Sequence, residues 1–457
     1  MAATEARRAP AFARVAVPAQ TEKWGFAELF IISQTALPAL LYLPGSQAFR
    51  LPIRFSAFAI SLGAFTWYQV ESTTQAPRSA MQPWVAAIMA LLAVMLFHPE
   101  TSSLTAGLAH LMVYFAVLAP LFWAPEFVKT PEQIARILWI LLLCSGANAV
   151  VGVLQVYDPN RWLPAEFSRI VTANEGALGA VTYIGAQGQR IVRPPGLFDT
   201  PGAVAGPAMF AALLGLVFAV SAIPMWKRAL SLGVAGAGLA AIYLSQVRVS
   251  LVATVVMMAT YVLVSMRQGR AARGSQFGIL AGGIVVTSLS LAVALGGSAI
   301  SDRVNSLFLG DPFSVYQGAR GSQLSYTFFD LLFQYPLGAG LGRWGMPAAY
   351  FGSSNPNSPG IWAEIQFTGW MIDGGVLMIA VYLGALLTTT ISQYRIAQAT
   401  QYPRLAICGA VILAAGLGPF LMIVSFTPFV AQIGIQYWFL AGALHGVACR
   451  YGVKPDA

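Results

Sequence analysis

The chain has 457 residues, of which 57% are hydrophobic and only 9% are charged. Soluble domains have about 25% charged residues, so this composition excludes a protein whose whole surface faces water. The net charge of +9 would suit nucleic acid, but the basic residues lie in polar segments between apolar runs. That distribution indicates that the basic residues set the orientation of the chain in a membrane, and no nucleic-acid partner is expected.

The apolar runs predict the fold class. A membrane-spanning helix needs roughly 20 mostly apolar residues. We therefore predict an all-α polytopic membrane protein with about 12 transmembrane helices and two long outward-facing loops that carry short interfacial helices. Pro38 interrupts the first run, and the third run is short. In chain order the runs are residues 26–43, 51–70, 84–97, 104–123, 134–157, 203–223, 229–247, 249–266, 277–295, 375–391, 405–424 and 433–449.

Charge asymmetry predicts the orientation of the chain. If the chain alternates across the bilayer from a cytoplasmic N-terminus, basic residues outnumber acidic ones on the inner side and the two balance outside. The positive-inside rule then makes both termini cytoplasmic. The predicted segments are a basic cytoplasmic tail (1–25), an N-terminal transmembrane bundle (26–157), a first long outward loop (158–202), a central bundle (203–295), a second outward loop with the candidate active site (296–374), C-terminal transmembrane helices (375–449) and a cytoplasmic tail (450–457).

Three arginines of the outward segments flank apolar runs. Arg248 lies between two long runs with almost no loop, so its charge must snorkel to the interface or face a polar ligand. Arg193 opens an Arg-Pro-Pro-Gly sequence before an apolar run, and Arg320 precedes an amphipathic stretch. If the three guanidiniums converge, they would suit a diphosphate, because arginine binds phosphate oxygens in bidentate fashion. Two further candidate substrate-binding arginines are Arg303 and Arg343.

The second outward segment contains two more patterns. Residues 325–335 space their apolar side chains as a helix does, which predicts a short helix at the membrane interface or, alternatively, an ordinary buried loop helix. Residues 336–342 are rich in glycine and predict a tight turn with exposed backbone amides. A nucleotide-binding loop is disfavoured, because no strand precedes this segment and no Lys-Ser or Lys-Thr follows it.

Two acidic residues stand before the tenth apolar run, where an ionisable side chain is costly and is a functional candidate. Glu364 could accept a proton as a general base, or it could form a structural salt bridge with an outer arginine. Asp373 is a candidate substrate-binding residue. The histidines are scattered over separate runs, so neither a metal nor another cofactor is expected.

Three sequence pieces occur in a set order: Arg193-Pro-Pro-Gly-Leu-Phe, the Ser245–Arg248 segment that opens an apolar run, and Pro336-Leu-Gly-Ala-Gly followed by Asp373-Gly-Gly. With these pieces the chain resembles, over roughly residues 190–446, the O-antigen ligase and O-antigen polymerase superfamily of bacterial envelope glycosyltransferases. Ligases of that family usually carry a His-Asn pair shortly before the last acidic motif. Glu364 occupies that place here, which favours a polymerase or a divergent transferase over a ligase.

The resemblance implies a metal-independent transferase at the periplasmic face of the bacterial inner membrane. Its partners would be an undecaprenyl-diphosphate-linked glycan donor, a saccharide or lipid-linked acceptor and the lipid bilayer, with room for other polysaccharide assembly proteins. Arg193, Arg248 and Arg320 would handle the diphosphate, the last two as catalytic residues beside Glu364. The alternatives are a polysaccharide or lipid-linked sugar transporter or flippase without covalent chemistry, and a non-catalytic scaffold.

Overall fold

The structure is a computed structural model that describes residues 24–43, 45–71, 78–164, 182–184, 190–198, 200–308, 311, 316–352 and 359–455. Within these residues the regular elements are helices, apart from one antiparallel pair of strands, β1 (Thr182–Ile184) with β2 (Arg190–Val192). The α-helices are α1 (Phe26–Ala39), α2 (Arg50–Glu71), α3 (Met81–Met95), α4 (Leu104–Leu118), α5 (Pro120–Phe127), α6 (Pro131–Tyr157), α7 (Pro159–Trp162), α8 (Ala205–Ala219), α9 (Met225–Ser245), α10 (Arg248–Arg267), α11 (Ala271–Phe308), α12 (Gly345–Phe351), α13 (Gln366–Ala397), α14 (Pro403–Met422) and α15 (Gln432–Arg450).

One further helical segment lies between α11 and α12 and is named here the loop helix. It combines the π turns Gln317–Gly321 and Thr327–Leu331 with the α turns Ser322–Tyr326 and Leu332–Gln334. π turns are rare and are frequently found at functional sites. The residues around the loop helix are therefore candidates for a functional site.

Seven helices among the described residues are long and apolar enough to cross a membrane, and shorter apolar helices, among them α3 and α8, accompany them. Apart from the one strand pair, the described chain is therefore helical, and the length and composition of its helices are those of a membrane protein. The total of about 12 spans and the loop layout stay predictions. The seven are Leu104–Phe127, Pro131–Tyr157, Met225–Ser245, Arg248–Arg267, Ala271–Ala294, Gln366–Ala397 and Pro403–Met422.

Local sequence explains where several helices begin. Thr130 caps α6, because its side chain accepts a hydrogen bond from Gln133 N while its backbone N–H donates to Gln133 Oε1. Ser103 caps α4 by accepting from Ala106 N at 3.0 Å. Such caps satisfy amide groups that have no partner within the helix. These two caps define where α4 and α6 begin.

Two helices extend beyond the apolar runs that predicted them. α11 continues to Phe308, past the predicted end at residue 295, because the polar residues there lower hydropathy without a proline to stop the helix. α13 begins at Gln366 instead of residue 375, and it is kinked at Gly374 and Gly375. Gly375 has a φ of 64°, and a methyl group there would overlap Pro336 O, so the kink requires glycine. Asp373 consequently lies inside the helix.

The helix ends form two groups, each named here after one arginine. The Arg404 end contains the ion pairs of Arg404 with Glu132 and of Arg136 with Glu28. The Arg320 end contains the loop helix, the starts of α10 and α13, and residues 193–198, 200–202, 336–352 and 359–364. Helix α13 runs between them: Gln366 N donates to Phe426 O just beyond α14, and Ala397 O accepts from Gln268 just beyond α10.

Candidate functional site

An ion pair joins the loop helix to the chain before α13. The side chains of Arg320 and Glu364 form this pair, and each is 29% exposed. Glu364 N also donates to Gln323 Oε1 at 2.9 Å, which attaches the same segment to the next turn of the loop helix. The contact matches the salt-bridge alternative for Glu364, and its role as a base stays a prediction.

A second guanidinium lies close to this pair. Burial lowers the pKa of Arg320, and the positive charge of Arg193 lowers it further. Two guanidiniums that repel each other at a partly exposed site are stabilised together by an anion. Arg193 and Arg320, two of the three arginines that the sequence singled out, are therefore close enough for their charges to interact.

The Arg193 segment is held by a buried side-chain amide. Gln155, fully buried in α6, accepts from Gly196 N at 2.9 Å and donates to Gly196 O at 2.8 Å. The hydroxyl of Tyr42 donates to the same carbonyl. Gly196 has a φ of 67°, and a methyl group on it would overlap Asn148 Oδ1. Sequence reasoning missed Gln155, although a polar residue inside an apolar run was an available signal.

The start of α10 adjoins Arg193. Gly202 N donates to Arg193 O at 3.4 Å, and a methyl group on Gly202 would lie 3.5 Å from Arg193 Nη2 and 3.3 Å from Val247 Cγ2. Val247 immediately precedes Arg248, the first residue of α10. Gln246 adopts a φ of 60°, which is uncommon for a residue with a side chain and is typical of sharp functional turns. The backbone therefore brings Arg248 beside the Arg193 segment.

Arg343 has a different environment. Its side chain is buried and forms an ion pair with Glu100, with Nη1 2.7 Å from Glu100 Oε2. It also donates to Pro359 O and Ala339 O, and its guanidinium lies 5.4 Å from the centre of the Tyr335 ring. These contacts attach the chain after residue 358 to the glycine-rich segment, and substrate binding by Arg343 stays a prediction. Arg303 belongs to α11, but its side chain lies outside the described residues.

Asp373 is enclosed by donors from the protein. It accepts from Tyr114 Oη at 2.7 Å and from Trp344 Nε1 at 2.9 Å, and it lies 3.6 Å from His110 Nε2. Gly342 N donates to His110 Nδ1, so the proton of the neutral ring is on Nε2 and faces Asp373. All these side chains are buried. The sequence did not indicate this grouping of His110 with Asp373, and the predicted substrate contact of Asp373 stays untested.

The glycine-rich segment packs on the kink of α13. Val376 N donates to Pro336 O at 3.0 Å, and Ala339 N donates to Ile372 O at 2.6 Å. The two halves of the last sequence piece are therefore in direct contact. Their main-chain hydrogen bonds replace those that the kink removes from the helix.

A cavity of about 560 Å³ opens between the loop helix and the chain before α13. Gln323 belongs to its wall and also holds Glu364, so the cavity adjoins the Arg320–Glu364 pair. The residues that line it are Ser322, Gln323, Tyr326, Gln334, Tyr335, Arg343, Pro359, Gly360, Ile361 and Trp362.

No protein-family model matches this chain, and no curated protein matches it. The function therefore has to be argued from the site itself. In the part of the chain that the structure describes, no three His, Cys, Asp or Glu side chains are grouped to hold a metal ion. Metal independence stays a prediction from the sequence.

Proposed function

We propose that this chain is a bacterial inner-membrane glycosyltransferase of the O-antigen ligase and polymerase type. It transfers or polymerises an undecaprenyl-diphosphate-linked glycan at the periplasmic face, for cell-envelope or exopolysaccharide synthesis, and polymerase activity is favoured over ligase activity. The observation that carries the proposal is the Arg320–Glu364 ion pair at the edge of the cavity, with the charge of Arg193 acting on Arg320.

The chemistry of a diphosphate leaving group fits this group of charges. In the proposed reaction an acceptor hydroxyl attacks the anomeric carbon of the donor while the bond from that carbon to the diphosphate oxygen breaks. The electron pair of that bond leaves with the diphosphate, and arginines aimed at the developing charge stabilise it. Donor binding to Arg320 loosens its pair with Glu364, whose carboxylate then accepts the hydroxyl proton.

The first experiment measures turnover of the purified protein in lipid nanodiscs with a lipid-linked oligosaccharide. Arg193→Ala and Arg320→Ala are each expected to lower turnover by about 10²- to 10³-fold, the usual cost of removing one donor to a developing anion. Arg404→Ala at the other end serves as the matched control, because it also breaks an arginine–glutamate pair. Parental turnover in both Arg193→Ala and Arg320→Ala would remove the diphosphate site from the proposal.

Arg248 is tested with a conservative change. Arg248→Lys keeps the positive charge but loses the planar fork that binds phosphate oxygens. We expect impaired turnover with normal amounts of protein in the membrane. Full activity of Arg248→Lys would assign Arg248 to anchoring at the membrane surface.

The orientation is tested by labelling with a membrane-impermeant maleimide in intact cells with a permeabilised outer membrane. The protein's own thiols, Cys144, Cys408 and Cys449, are first replaced by serine. Trp362→Cys, at a 71% exposed position of the Arg320 end, is expected to react from the periplasm. Arg404→Cys should react only after the inner membrane is opened. The reverse pattern would put the site in the cytoplasm and overturn the proposal.

Asp373 favours a second candidate function, a polysaccharide or lipid-linked sugar transporter or flippase without covalent chemistry. A buried carboxylate beside a broken helix is a common arrangement in transporters. Proteoliposomes with a lipid-linked oligosaccharide distinguish the two functions. Transfer of the lipid between leaflets without a new glycosidic bond would favour transport, and a longer glycan would favour the transferase.

A further inference from the structure

The cavity beside the Arg320–Glu364 pair has a lining that combines aromatic rings with side chains that both donate and accept hydrogen bonds. Three rings, those of Tyr326, Tyr335 and Trp362, belong to its wall, and the indole of Trp362 is 71% exposed. Gln323 and Gln334 supply amides, and Ser322 supplies a hydroxyl. Aromatic faces with a few polar groups are typical of specific small-molecule sites.

The described lining carries little effective charge. Arg343 is its only ionised side chain, and Glu100 neutralises it at 2.7 Å. The remaining donors of Arg343 are directed at main-chain carbonyls, among them Pro359 O at 3.0 Å. A phosphate or carboxylate would thus meet no uncompensated cation in the described lining. The polar amides equally disfavour a hydrocarbon chain, which would leave them without partners.

We propose that this cavity binds an uncharged sugar ring of a saccharide, with Trp362 and Tyr326 against the C–H face of the ring and Gln323 and Ser322 at its hydroxyls. Amides and hydroxyls both donate and accept, as sugar hydroxyls do. The cavity volume of about 560 Å³ lies in the range of small-ligand pockets. Its assignment to the acceptor rests on the proposed function, because Gln323 holds Glu364 at one edge of the cavity. Sugar binding itself does not rest on that function.

Sugar binding is tested by saturation-transfer-difference NMR with the full chain in lipid nanodiscs, since sugar-based detergents would compete. The probes are matched pairs of methyl glycosides that differ at one carbon: glucose and glucuronate, galactose and galacturonate, mannose and mannuronate. We expect at least one neutral member to bind and its uronate to bind at least tenfold more weakly. Trp362→Ala should weaken neutral-sugar binding about tenfold, and Trp226→Ala, at a 63% exposed tryptophan of the α9 start, should not.

Three results would overturn the inference: no binding of any neutral sugar, equal binding of the uronates, or parental affinity in Trp362→Ala. These results are separate from the test of turnover. Sugar binding without turnover leaves the cavity assignment standing and removes the transferase. Turnover with parental acceptor KM in Trp362→Ala retains the transferase and removes this cavity as the acceptor site.

The Glu100–Arg343 pair allows a sharper test of charge selection. Glu100→Gln keeps the size of the side chain but leaves the charge of Arg343 unbalanced beside the cavity. We expect the uronates to gain affinity about tenfold relative to their neutral partners. An unchanged ratio in a folded Glu100→Gln protein would contradict the selection by charge. If Glu100→Gln does not fold, the parental neutral-to-uronate ratio decides the point.

Discussion

The helical bundle has arginines at both ends, and the two ends hold them in different ways. At the Arg404 end Arg136 and Arg450 belong to helices and connect helix ends: Arg136 pairs with Glu28 at 2.6 Å, and Arg450 donates to Pro125 O at 2.8 Å. At the Arg320 end, Arg193 and Arg320 come from a proline-rich segment and a π turn. There burial and the positive charge of Arg193 lower the pKa of Arg320, much as burial and the charge of Arg273 lower the pKa of Arg270 near the Arg404 end.

The contrast shows why the number of arginines says little about function. A basic side chain that meets a carboxylate or the carbonyls at the end of a helix stabilises the fold. At the Arg320 end, burial and the charge of Arg193 disfavour the charged form of Arg320, although Glu364 pairs with it. A bound anion would favour that charged form. The Arg404 end therefore serves as the internal control for the Arg320 end.

The largest effect that separates the two ends is expected for Glu364→Gln. The amide keeps the size of the side chain but does not accept a proton, so turnover should fall by roughly 10²- to 10⁴-fold if Glu364 is the base. The measurement is single-turnover transfer at saturating donor, together with donor binding, which should change little.

The matched control for this change is Glu132→Gln, because Glu132 is also an acid paired with an arginine, at the opposite end. It should turn over at the parental rate. If Glu364→Gln also keeps the parental rate, Glu364 is excluded as the base. If Glu364→Gln instead lowers the yield of folded protein or the affinity for the donor, the pair of Glu364 with Arg320 is structural.

The second effect concerns the rigidity of the Arg320 end. Asp373→Asn replaces one oxygen by an NH₂ group, so Tyr114 and Trp344 can no longer both donate to carboxylate oxygens. A buried donor left unpaired costs about 1–3 kcal/mol. We expect a lower thermal midpoint in nanodiscs, with a smaller decrease for Tyr114→Phe, which removes only one hydrogen bond. An unchanged midpoint in Asp373→Asn would mean that the kink of α13 is held without this carboxylate.

The sequence predicts some parts of this molecule and misses others for identifiable reasons. Apolar runs indicate most of the helices, because lipid-facing helices need a long stretch without charge. They miss the first turns of α13, because Asp373-Gly374-Gly375 interrupts the apolar run although the helix continues through a kink. Grouping of distant residues is beyond single-sequence reasoning. The sequence identifies Arg193, Arg320 and Glu364 as candidates, because a charged side chain beside an apolar run is costly. Only the fold shows that Arg320 and Glu364 are in contact.

A smaller effect is expected from Gln155→Ala, which acts on Arg193 through the backbone. Losing both hydrogen bonds to Gly196 lets the Arg193 segment shift, and a cost of about 1.4 kcal/mol corresponds to a tenfold change. We expect donor KM to rise about tenfold with acceptor KM unchanged. Gln34→Ala, which removes another buried glutamine, should leave both constants unchanged. Equal effects on donor and acceptor would show general destabilisation instead of positioning.

The smallest effect is expected for Arg404→Ala. The Arg404 side chain is 78% exposed and its partner Glu132 is 51% exposed, so water and salt screen their attraction. Exposed pairs of this kind contribute about 0–1 kcal/mol. Turnover should stay within twofold of the parent, and the thermal midpoint should move little and less at high salt. A loss of turnover comparable with that of Arg320→Ala would mean that both ends depend on their arginines for the fold.

The difference between the two ends would then not indicate where the reaction takes place. Parental turnover in Arg404→Ala beside inactive Arg320→Ala would locate the chemistry at the Arg320 end without reference to any related protein.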